Sequence, residues 1–264
     1  MKTDILNELR DASIQRVAEK QNRISRQSME RLGLEHRRSD GFVFEQILKQ
    51  PQMTFICECK KASPSKGVIA PEFPYLEIAE DYEAGGAGAI SVLTEPTRFL
   101  GRDAYLWEIA EAVSVPVLRK DFIVDAYLIY EAAYLGASIV LLIAGILQSD
   151  QLKEYLETAE SLGLSAVVEV HDEQEIQMAV DAGARIIGVN NRNLHDFTVA
   201  LSTSTKQRAR IPEQILMIAE SGIRTRRDIE QLEQGGVNGV LIGETLMRAE
   251  DRIGLLKELN GEKR

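Results

Sequence analysis

Cysteine, histidine and tryptophan are scarce in this 264-residue chain, which contains two, three and one of them respectively. Cys57 and Cys59 share one face of a predicted strand, where adjacent positions are poorly placed for a disulfide, so we expect two reduced packing residues. His36, His171 and His195 show no ligand-like spacing to each other or to the cysteines. We therefore expect no zinc or iron site.

Long apolar runs and an excess of positive charge are also missing. The longest apolar run, residues 139–147, is too short to span a bilayer, and the first ten residues lack the apolar stretch of a secretory signal. The formal net charge of −10 argues against a general nucleic-acid or membrane-surface binder, but it permits a local basic pocket for a small anion. We expect a cytoplasmic protein without a nucleic-acid or membrane partner. Its oligomeric state is expected to be a monomer or a weak homodimer.

Residues 1–45 are rich in charged side chains and glutamine, and they precede the first predicted strand. Apolar residues recur at three- and four-residue spacing, which is typical of amphipathic helix; they are Ile5, Leu6, Leu9, Ile14 and Val17. We interpret this segment as a helical extension that acts as a lid or brace. The alternative is a loosely attached, partly disordered arm, because the charge content is high.

From residue 53 onward, apolar and often β-branched runs alternate with helical stretches, several of which close with glycine. The runs predict eight strands, at residues 53–59, 89–93, 115–119, 138–142, 165–169, 185–190, 215–219 and 238–242. The stretches between them predict helices at 74–84, 102–112, 125–135, 149–162, 172–182 and 225–234. This alternation implies a parallel sheet, and the lack of any linker favours a single α/β domain whose residues 46–264 form a closed (β/α)8 TIM barrel. The alternative is an open doubly wound sheet.

Polar residues and glycines lie at the carboxyl ends of the predicted strands, where the active sites of such barrels lie. The polar residues are Glu58, Lys60, Lys120, Glu169, Asn190, Glu220, Ser221 and Glu244, and the glycines are Gly222 and Gly243. Glu58 and Lys60 share one face of the first strand, because side chains alternate along a strand. Ionisable groups on a mostly apolar strand are costly if simply buried, so we expect this pair to face a ligand at the barrel mouth.

Lys120 follows an apolar strand, and a desolvated lysine serves either as a proton donor or as a Schiff-base nucleophile. Neighbouring carboxylates would favour its charged form and hence the acid. The structural alternative is an ion pair with Asp121. Glu169 lies at the edge of an apolar surface, which suits acid or base chemistry or the pairing of a lysine across the barrel. Asn190 either holds a substrate hydroxyl or caps the loop after its strand.

Glycines at the ends of the last two predicted strands indicate a phosphate site. In the segments Glu-Ser-Gly-Ile from Glu220 and Ile-Gly-Glu-Thr from Ile242, backbone N–H groups can approach an anion near a helix N-terminus. Ser63 and Lys60 could complete the pocket. Glu244 puts a carboxylate beside the expected phosphate, so its side chain should turn away or lie along the first turn of the helix.

Seven segments of the chain resemble the indole-3-glycerol phosphate synthase family. They are Cys-Lys-Lys-Ala-Ser-Pro-Ser-Lys-Gly from Cys59, Leu-Thr-Glu from Leu93 with Phe99 following, Arg-Lys-Asp-Phe-Ile from Arg119, Val-Glu-Val from Val168, Gly-Val-Asn-Asn-Arg-Asn-Leu from Gly188, Ala-Glu-Ser-Gly-Ile from Ala219, and Ile-Gly-Glu from Ile242. The likeness runs in order from the amino-terminal extension to the last strand.

The resemblance implies a carboxy-lyase of tryptophan biosynthesis, with an extra amino-terminal helix folded over the barrel mouth. Its substrate would be 1-(2-carboxyphenylamino)-1-deoxy-D-ribulose 5-phosphate, which closes to indole-3-glycerol phosphate with loss of carbon dioxide and water. Position by position, it implies that Lys120 is the general acid for ring closure and that Glu169 serves later proton transfers. Lys60 and Glu58 match the second lysine and carboxylate of the family site.

The resemblance also implies how the substrate is held. Asn190 matches a positioning residue, and Phe99 and Phe122 match contacts to the aromatic ring. The phosphate contacts would come from Ser63, Ser221, Gly222 and Gly243, and the other implied binding residues are Glu244, Arg192 and Glu220.

This chemistry is consistent with the residues themselves. Ring closure requires protonation of a ketone oxygen, and decarboxylation then restores aromaticity without an electron-sink cofactor, so we expect no cofactor. Dehydration needs a second acid and a base, for which Lys60, Glu58 and Glu169 are candidates. Two alternatives stay open: a Schiff-base phosphosugar aldolase that uses Lys120, and a non-catalytic barrel that binds a phosphosugar.

Overall fold

The computed structural model describes residues 5–193 and 197–262. Residues 1–4 of the predicted extension, residues 194–196 with His195, and residues 263–264 lie outside the described part. Within it, eight parallel strands form a closed barrel in the order β1-β10-β9-β8-β7-β6-β5-β4. Their bounds are β1 Thr54–Cys59, β4 Ala89–Leu93, β5 Val117–Lys120, β6 Ile139–Ile143, β7 Ser165–Val170, β8 Ile186–Asn190, β9 Leu216–Glu220 and β10 Gly239–Ile242.

The barrel closes because β1 pairs on both edges. Ile56 is in register with Ala89 of β4 on one side and with Leu241 of β10 on the other. The TIM barrel prediction is therefore confirmed, and the open doubly wound sheet is wrong. Strands such as β6, Ile-Val-Leu-Leu-Ile, are apolar along their whole length because both faces of a parallel sheet are covered.

Helices follow the strands and cover the outside of the barrel. Their bounds are α4 Tyr75–Ala84, α5 Asp103–Ala112, α6 Tyr127–Tyr134, α7 Ser149–Ser161, α8 Glu173–Asp181, α9 Ser202–Arg208, α10 Arg226–Gln234, α11 Glu244–Met247 and α12 Arg252–Leu259, with a 3-10 turn at Ala144–Ile146 after β6. A short antiparallel hairpin, β2 Ala62–Ser63 and β3 Gly67–Val68, shapes the loop after β1. Among the described residues, no helix has both the length and the apolar content needed to cross a bilayer.

Three helices precede the barrel strands, where the sequence predicted one helical extension. They are α1 Ile5–Gln21, α2 Arg26–Glu35 and α3 Val43–Leu48, the last of which spans the predicted boundary at residue 45. Leu9 and Val17 of α1 are buried, as is Met29 of α2. A Cβ atom at Gly33 would lie 2.9 Å from backbone atoms of Tyr130, so α2 packs closely on α6 at this glycine. The alternative prediction, a loosely attached arm, is therefore wrong for the described residues of this extension.

Helix α1 is fastened to the loop that follows β5. The Ser13 hydroxyl donates a hydrogen bond of 2.6 Å to the carbonyl oxygen of Phe122. The Arg16 guanidinium lies 2.6 Å from the carboxylate of Asp121. The extension therefore contacts the two residues that follow Lys120 directly.

Candidate active site

A cavity of about 660 Å³ opens at the carboxyl ends of the barrel strands. Every site residue predicted from the sequence lines it: Glu58, Lys60, Ser63, Phe99, Lys120, Phe122, Glu169, Asn190, Arg192, Glu220, Ser221, Gly222, Gly243 and Glu244. These residues come from seven different strands or strand-end loops, and the closure of the barrel brings them together. The structure thus places the predicted residues in one site.

Lys120 lies between two carboxylates in this cavity. Its Nζ atom is 3.0 Å from Oε2 of Glu169 and 3.1 Å from Oε2 of Glu220. Lys120 is the last residue of β5, and the two glutamates come from β7 and β9 across the barrel. All three side chains are largely buried, with 13%, 5% and 3% of their surface exposed. The largely buried ammonium group is therefore held from two sides.

The charges around Lys120 determine its protonation state. Burial lowers the pKa of Lys120, but the carboxylates of Glu169 and Glu220 outweigh burial and raise that pKa above its ordinary value. Burial raises the pKa of Glu169, but Lys120 and His171 outweigh burial, so the net shift is downward. At neutral pH the site accordingly holds an ammonium ion beside an ionised Glu169.

The predicted structural alternative for Lys120, an ion pair with Asp121, is wrong. Asp121 instead pairs with Arg16 at 2.6 Å and with Arg119 at 3.3 Å, and it accepts a hydrogen bond of 2.6 Å from the hydroxyl of Thr94. Burial raises the pKa of Asp121, but the two arginines lower it more, to about 2. Asp121 therefore anchors the loop, and Lys120 is left to face the cavity.

Glu220 differs from Glu169 in its ionisation. Burial raises the pKa of Glu220, the charge of Lys120 lowers it, and the charge of Glu169 raises it again, which leaves it at about 7. Its Oε1 atom accepts no hydrogen bond within the described residues. A Cβ atom at Gly188 would lie 2.4 Å from that oxygen, so the glycine in β8 makes room for the carboxylate. Glu220 can thus gain or lose a proton near neutral pH.

Glu58 and Lys60 form a second ion pair at the end of β1, as their shared strand face predicts. A Cβ atom at Gly243 would lie 2.3 Å from Oε1 of Glu58 and 2.8 Å from Nζ of Lys60. The pair therefore lies directly against the turn between β10 and α11. The site holds two lysine–carboxylate groups, one at Lys120 and one at Lys60.

Asn190 caps the loop after its strand, which is one of the two roles predicted for it. Its Nδ2 donates a hydrogen bond of 3.1 Å to Oε1 of Glu169, and its Oδ1 accepts one of 3.0 Å from the backbone N–H of Arg192. The side chain therefore links Glu169 to the loop after β8. It is also half-exposed to the cavity, where a substrate hydroxyl could reach it.

The ends of β9 and β10 form the turn-rich side of the cavity. Ser221 and Gly222 both have positive φ angles, of 69° and 85°, so the chain turns sharply after Glu220. Ser63, from the β2–β3 hairpin, also lines the cavity, and its buried hydroxyl has no hydrogen-bond partner among the described residues. Backbone turns with a nearby hydroxyl are suited to binding a phosphate.

Glu244 is neutralised by cations at the cavity rim. Its carboxylate lies 3.5 Å from Nζ of Lys66 and 3.2 Å from Nε of Arg248. Burial raises the pKa of Glu244, but these cations lower it more, so the carboxylate is ionised and paired. The side chain thus lies along the first turn of α11, which is one of the two arrangements that the sequence analysis allowed.

Apolar side chains line the cavity on the β4–β6 side. The rings of Phe99 and Phe122 have centroids 6.3 Å apart. Glu95 holds the backbone at Phe99, because its Oε2 accepts hydrogen bonds of 2.7 Å from the backbone N–H of Arg98 and 3.0 Å from that of Phe99. The apolar lining is completed by Ile5, Leu6, Leu9, Leu93, Leu141 and Ile143. This side can enclose an aromatic ring.

Several residues of the site were not predicted. Helix α1 forms part of the cavity wall through Ile5, Leu6 and Leu9. The sequence predicted a lid or brace here, but it did not show which residues of this helix would face the cavity. Other unpredicted lining residues include Lys66, Phe197, Val199, Arg224 and Arg248. Their positions depend on how loops fold back over the mouth, which leaves no periodic signal in the sequence.

The predicted roles of the cysteines are confirmed. Cys57 and Cys59 are free and buried on β1, and burial raises the pKa of both thiols. In residues 5–193 and 197–262, no group of three or more histidine, cysteine, aspartate or glutamate side chains is arranged to hold a metal ion.

Solved structures of low sequence identity share the fold. A 3-hexulose-6-phosphate synthase superposes with a TM-score of 0.65 at 14% identity and covers 79% of this chain and 99% of its own. The tryptophan synthase A-subunit from Pyrococcus furiosus superposes with a TM-score of 0.60 at 16% identity and covers 81% and 99%. At these identities the likeness establishes the fold alone.

Sequence comparison is more specific. A family profile described as indole-3-glycerol phosphate synthase matches residues 6–259. An indole-3-glycerol phosphate synthase of Ruminiclostridium cellulolyticum is 56% identical over 220 residues, 83% of this chain and 85% of the relative. That of Leuconostoc mesenteroides is 48% identical over 261 residues, 98% of this chain and 100% of the relative. The chain therefore belongs to the indole-3-glycerol phosphate synthase family.

Proposed function

We propose that this protein is a carboxy-lyase that converts 1-(2-carboxyphenylamino)-1-deoxy-D-ribulose 5-phosphate to indole-3-glycerol phosphate, carbon dioxide and water. The observation that carries the proposal is the ammonium group of Lys120, held between Glu169 and Glu220 in a cavity with one apolar and one turn-rich side. The apolar side, with Phe99 and Phe122, takes the aromatic ring. The turns at Ser221 and Gly243 take the phosphate.

Ring closure needs one acid. The aromatic carbon that carries the carboxylate attacks the ketone carbon, and the ketone oxygen receives a proton from Lys120 as the new carbon–carbon bond forms. The bond to the carboxylate then breaks, carbon dioxide leaves, and the released electron pair restores the aromatic ring. Because the surrounding carboxylates keep Lys120 charged, the proton is in place before the substrate reacts. A positioned acid of this kind is worth on the order of 10²- to 10⁴-fold in rate.

Dehydration needs a second acid and a base. We assign the acid to Lys60, which lies with Glu58 against the turn at Gly243, and which protonates the departing hydroxyl so that it leaves as water. We assign the base to Glu169, whose lowered pKa keeps it ionised and ready to accept the proton that the ring gives up. Asn190 orients that carboxylate through its hydrogen bond of 3.1 Å.

The geometry favours this reaction over a Schiff-base aldolase. A Schiff base forms from a neutral amine, and the two carboxylates beside Lys120 raise its pKa and stabilise the ammonium form. Borohydride reduction in the presence of substrate would trap a covalent adduct on Lys120 if the aldolase mechanism operated. Intact-protein mass spectrometry would detect such an adduct, and we expect none.

The direct test mixes the purified protein with the carboxyphenylamino deoxyribulose phosphate and follows indole fluorescence with EDTA present. We expect the fluorescence to rise with enzyme-dependent kinetics and an equivalent of carbon dioxide to be released. Binding by calorimetry without product would support the non-catalytic alternative. Neither binding nor product would contradict the assignment of the substrate.

We also propose that the enzyme works in the cytoplasm as a monomer or weak homodimer. Two free, buried cysteines are compatible with a reducing compartment. The net charge of −10 disfavours association with nucleic acid or anionic membranes. Sedimentation velocity across a concentration series would reveal the oligomeric state.

A further inference from the structure

His171 lies behind the site and has no role in the proposed reaction. It follows β7 directly and lies two residues beyond Glu169, on the same strand face. Its Nε2 atom is 3.3 Å from Oε1 of Glu169, which is an ion-pair distance, and its Nδ1 atom is 3.0 Å from Oε2 of Glu175. The imidazole is thus placed between two carboxylates, one in the site and one outside it.

The outer carboxylate is held rigidly at the start of α8. Asp172 caps this helix by accepting a hydrogen bond of 2.9 Å from the N–H of Glu175. Oε2 of Glu175 reaches back and accepts a hydrogen bond of 2.7 Å from the backbone N–H of His171. A Cβ atom at Gly145 would lie 2.7 Å from Oε1 of Glu175, so this glycine leaves space for the carboxylate. The imidazole is therefore fixed on a preformed platform.

The carboxylates of Glu169 and Glu175 determine the charge of the His171 imidazole. Burial lowers the pKa of His171, but its contacts with Glu169 and Glu175 outweigh burial and raise the pKa to about 10. At neutral pH both ring nitrogens then carry protons, and His171 is a cation. Glu169 therefore has two positive neighbours, Lys120 on the cavity side and His171 behind it.

These neighbours behave differently during the proposed reaction. Lys120 gives its proton to the ketone oxygen and becomes neutral, which removes positive charge from between Glu169 and Glu220. A buried carboxylate that loses its cation takes up a proton more readily. His171 does not face the cavity and keeps its charge through this step.

We propose that His171 is a positioning residue that fixes the Glu169 carboxylate and keeps it ionised after Lys120 has given up its proton. Glu169 is then still a base when the dehydration step needs one. This inference rests on the proposed function. The competing explanation is that His171 and Glu175 serve only to cap α8.

The test is the pH profile of kcat for His171→Asn, with His36→Asn as the matched control. His36 is an exposed histidine at the end of α2 that packs edge-on against Tyr134. Lys120 and Asn190 contact the Glu169 carboxylate directly, Glu220 and Glu58 act on Lys120 from the other barrel strands, and Glu175 of α8 contacts the imidazole. These groups are unchanged in both variants.

For the wild type, we expect the acid limb of the profile where Glu169 takes up a proton, which its lowered pKa puts on the acid side of pH 7. In His171→Asn the loss of a cation raises the pKa of Glu169, so the limb should move up by about one pH unit. The loss in kcat is then about tenfold on the acid side of the limb and shrinks as the pH rises. His171→Lys, which restores a cation, should return the limb towards the wild-type position, and His36→Asn should leave it unchanged.

A loss in kcat by the same factor at every pH would show a purely structural role and overturn the inference, as would an unchanged profile. NMR titration of the wild-type imidazoles provides a measurement that does not depend on a variant folding. A neutral His171 at pH 7 would also overturn the inference. If the wild type itself forms no product, the proposed function fails first and this inference fails with it.

Discussion

Replacing Lys120 by alanine removes the ammonium group that lies 3.0 Å from Glu169 and 3.1 Å from Glu220. If this group is the acid of ring closure, the variant should lose the 10²- to 10⁴-fold that a positioned acid contributes, which is about 2.7–5.5 kcal/mol of activation free energy. We expect kcat to fall at least about a hundredfold. Removing a group that acts mainly in the transition state lowers the rate of the chemical step.

Substrate binding should change much less. The variant leaves two carboxylates facing an anionic substrate, which would by itself weaken binding. Glu220 already has a pKa of about 7, and without the cation beside it the carboxylate takes up a proton and offsets the lost charge. We therefore expect the dissociation constant to stay within about tenfold of the wild-type value.

Two measurements separate these effects. Single-turnover indole fluorescence gives the chemical rate, and calorimetry at a temperature where turnover is negligible gives the dissociation constant. Lys153→Ala is the matched control, because Lys153 is an exposed lysine on α7. A Lys120→Ala enzyme that kept half of its kcat would remove Lys120 from the mechanism. A thousandfold loss in binding with an unchanged chemical rate would reassign it to substrate binding.

Two further predictions concern the surroundings of the two lysines. Arg16→Ala should lower the free energy of unfolding at pH 7 by about 3 kcal/mol, since it removes one partner of the buried Asp121. Because the folded-state pKa of Asp121 is lowered to about 2, the difference from the wild type in urea unfolding should be full above pH 4 and vanish towards pH 2; a difference that grows at low pH would contradict this. Gly243→Ala should lower kcat/KM about a hundredfold, because its Cβ atom displaces Glu58 and Lys60, with little change in the unfolding midpoint. Wild-type kinetics in this variant would show that the turn does not position the pair.

The barrel was predictable because its strands carry a strong local signal. All eight predicted strands agree with the structure to within two residues at each end, as do the six predicted helices. Helix α9 was missed, since its sequence Ser-Thr-Ser-Thr-Lys-Gln-Arg buries only Ser204 and has no apolar stripe. The β2–β3 hairpin was missed for a related reason. Its strands have two residues each, and β3 is exposed, so it leaves no alternating pattern.

The site was predictable where it lies at strand ends, because barrel topology alone brings those ends together. Lys120 and Glu169 are examples: they are 49 positions apart in sequence and their side chains meet at 3.0 Å. His171 was not predicted, although it contacts Glu169. In the sequence it stood out only as a histidine without ligand-like spacing, and its significance depends on Glu175 folding back along α8.

Helix α1 shows how far the apolar pattern serves as a guide. Of the apolar residues whose spacing predicted this helix, Leu9 and Val17 are buried, whereas Ile14 is 52% exposed. The docked face also carries Ser13, Arg16 and Lys20, which bind Phe122, Asp121, Asp103 and Glu131. The apolar pattern did not predict these polar contacts, because their partners lie far away in sequence. The same contacts hold the two residues after Lys120, so the helix that walls the cavity also fixes the loop that carries the proposed acid.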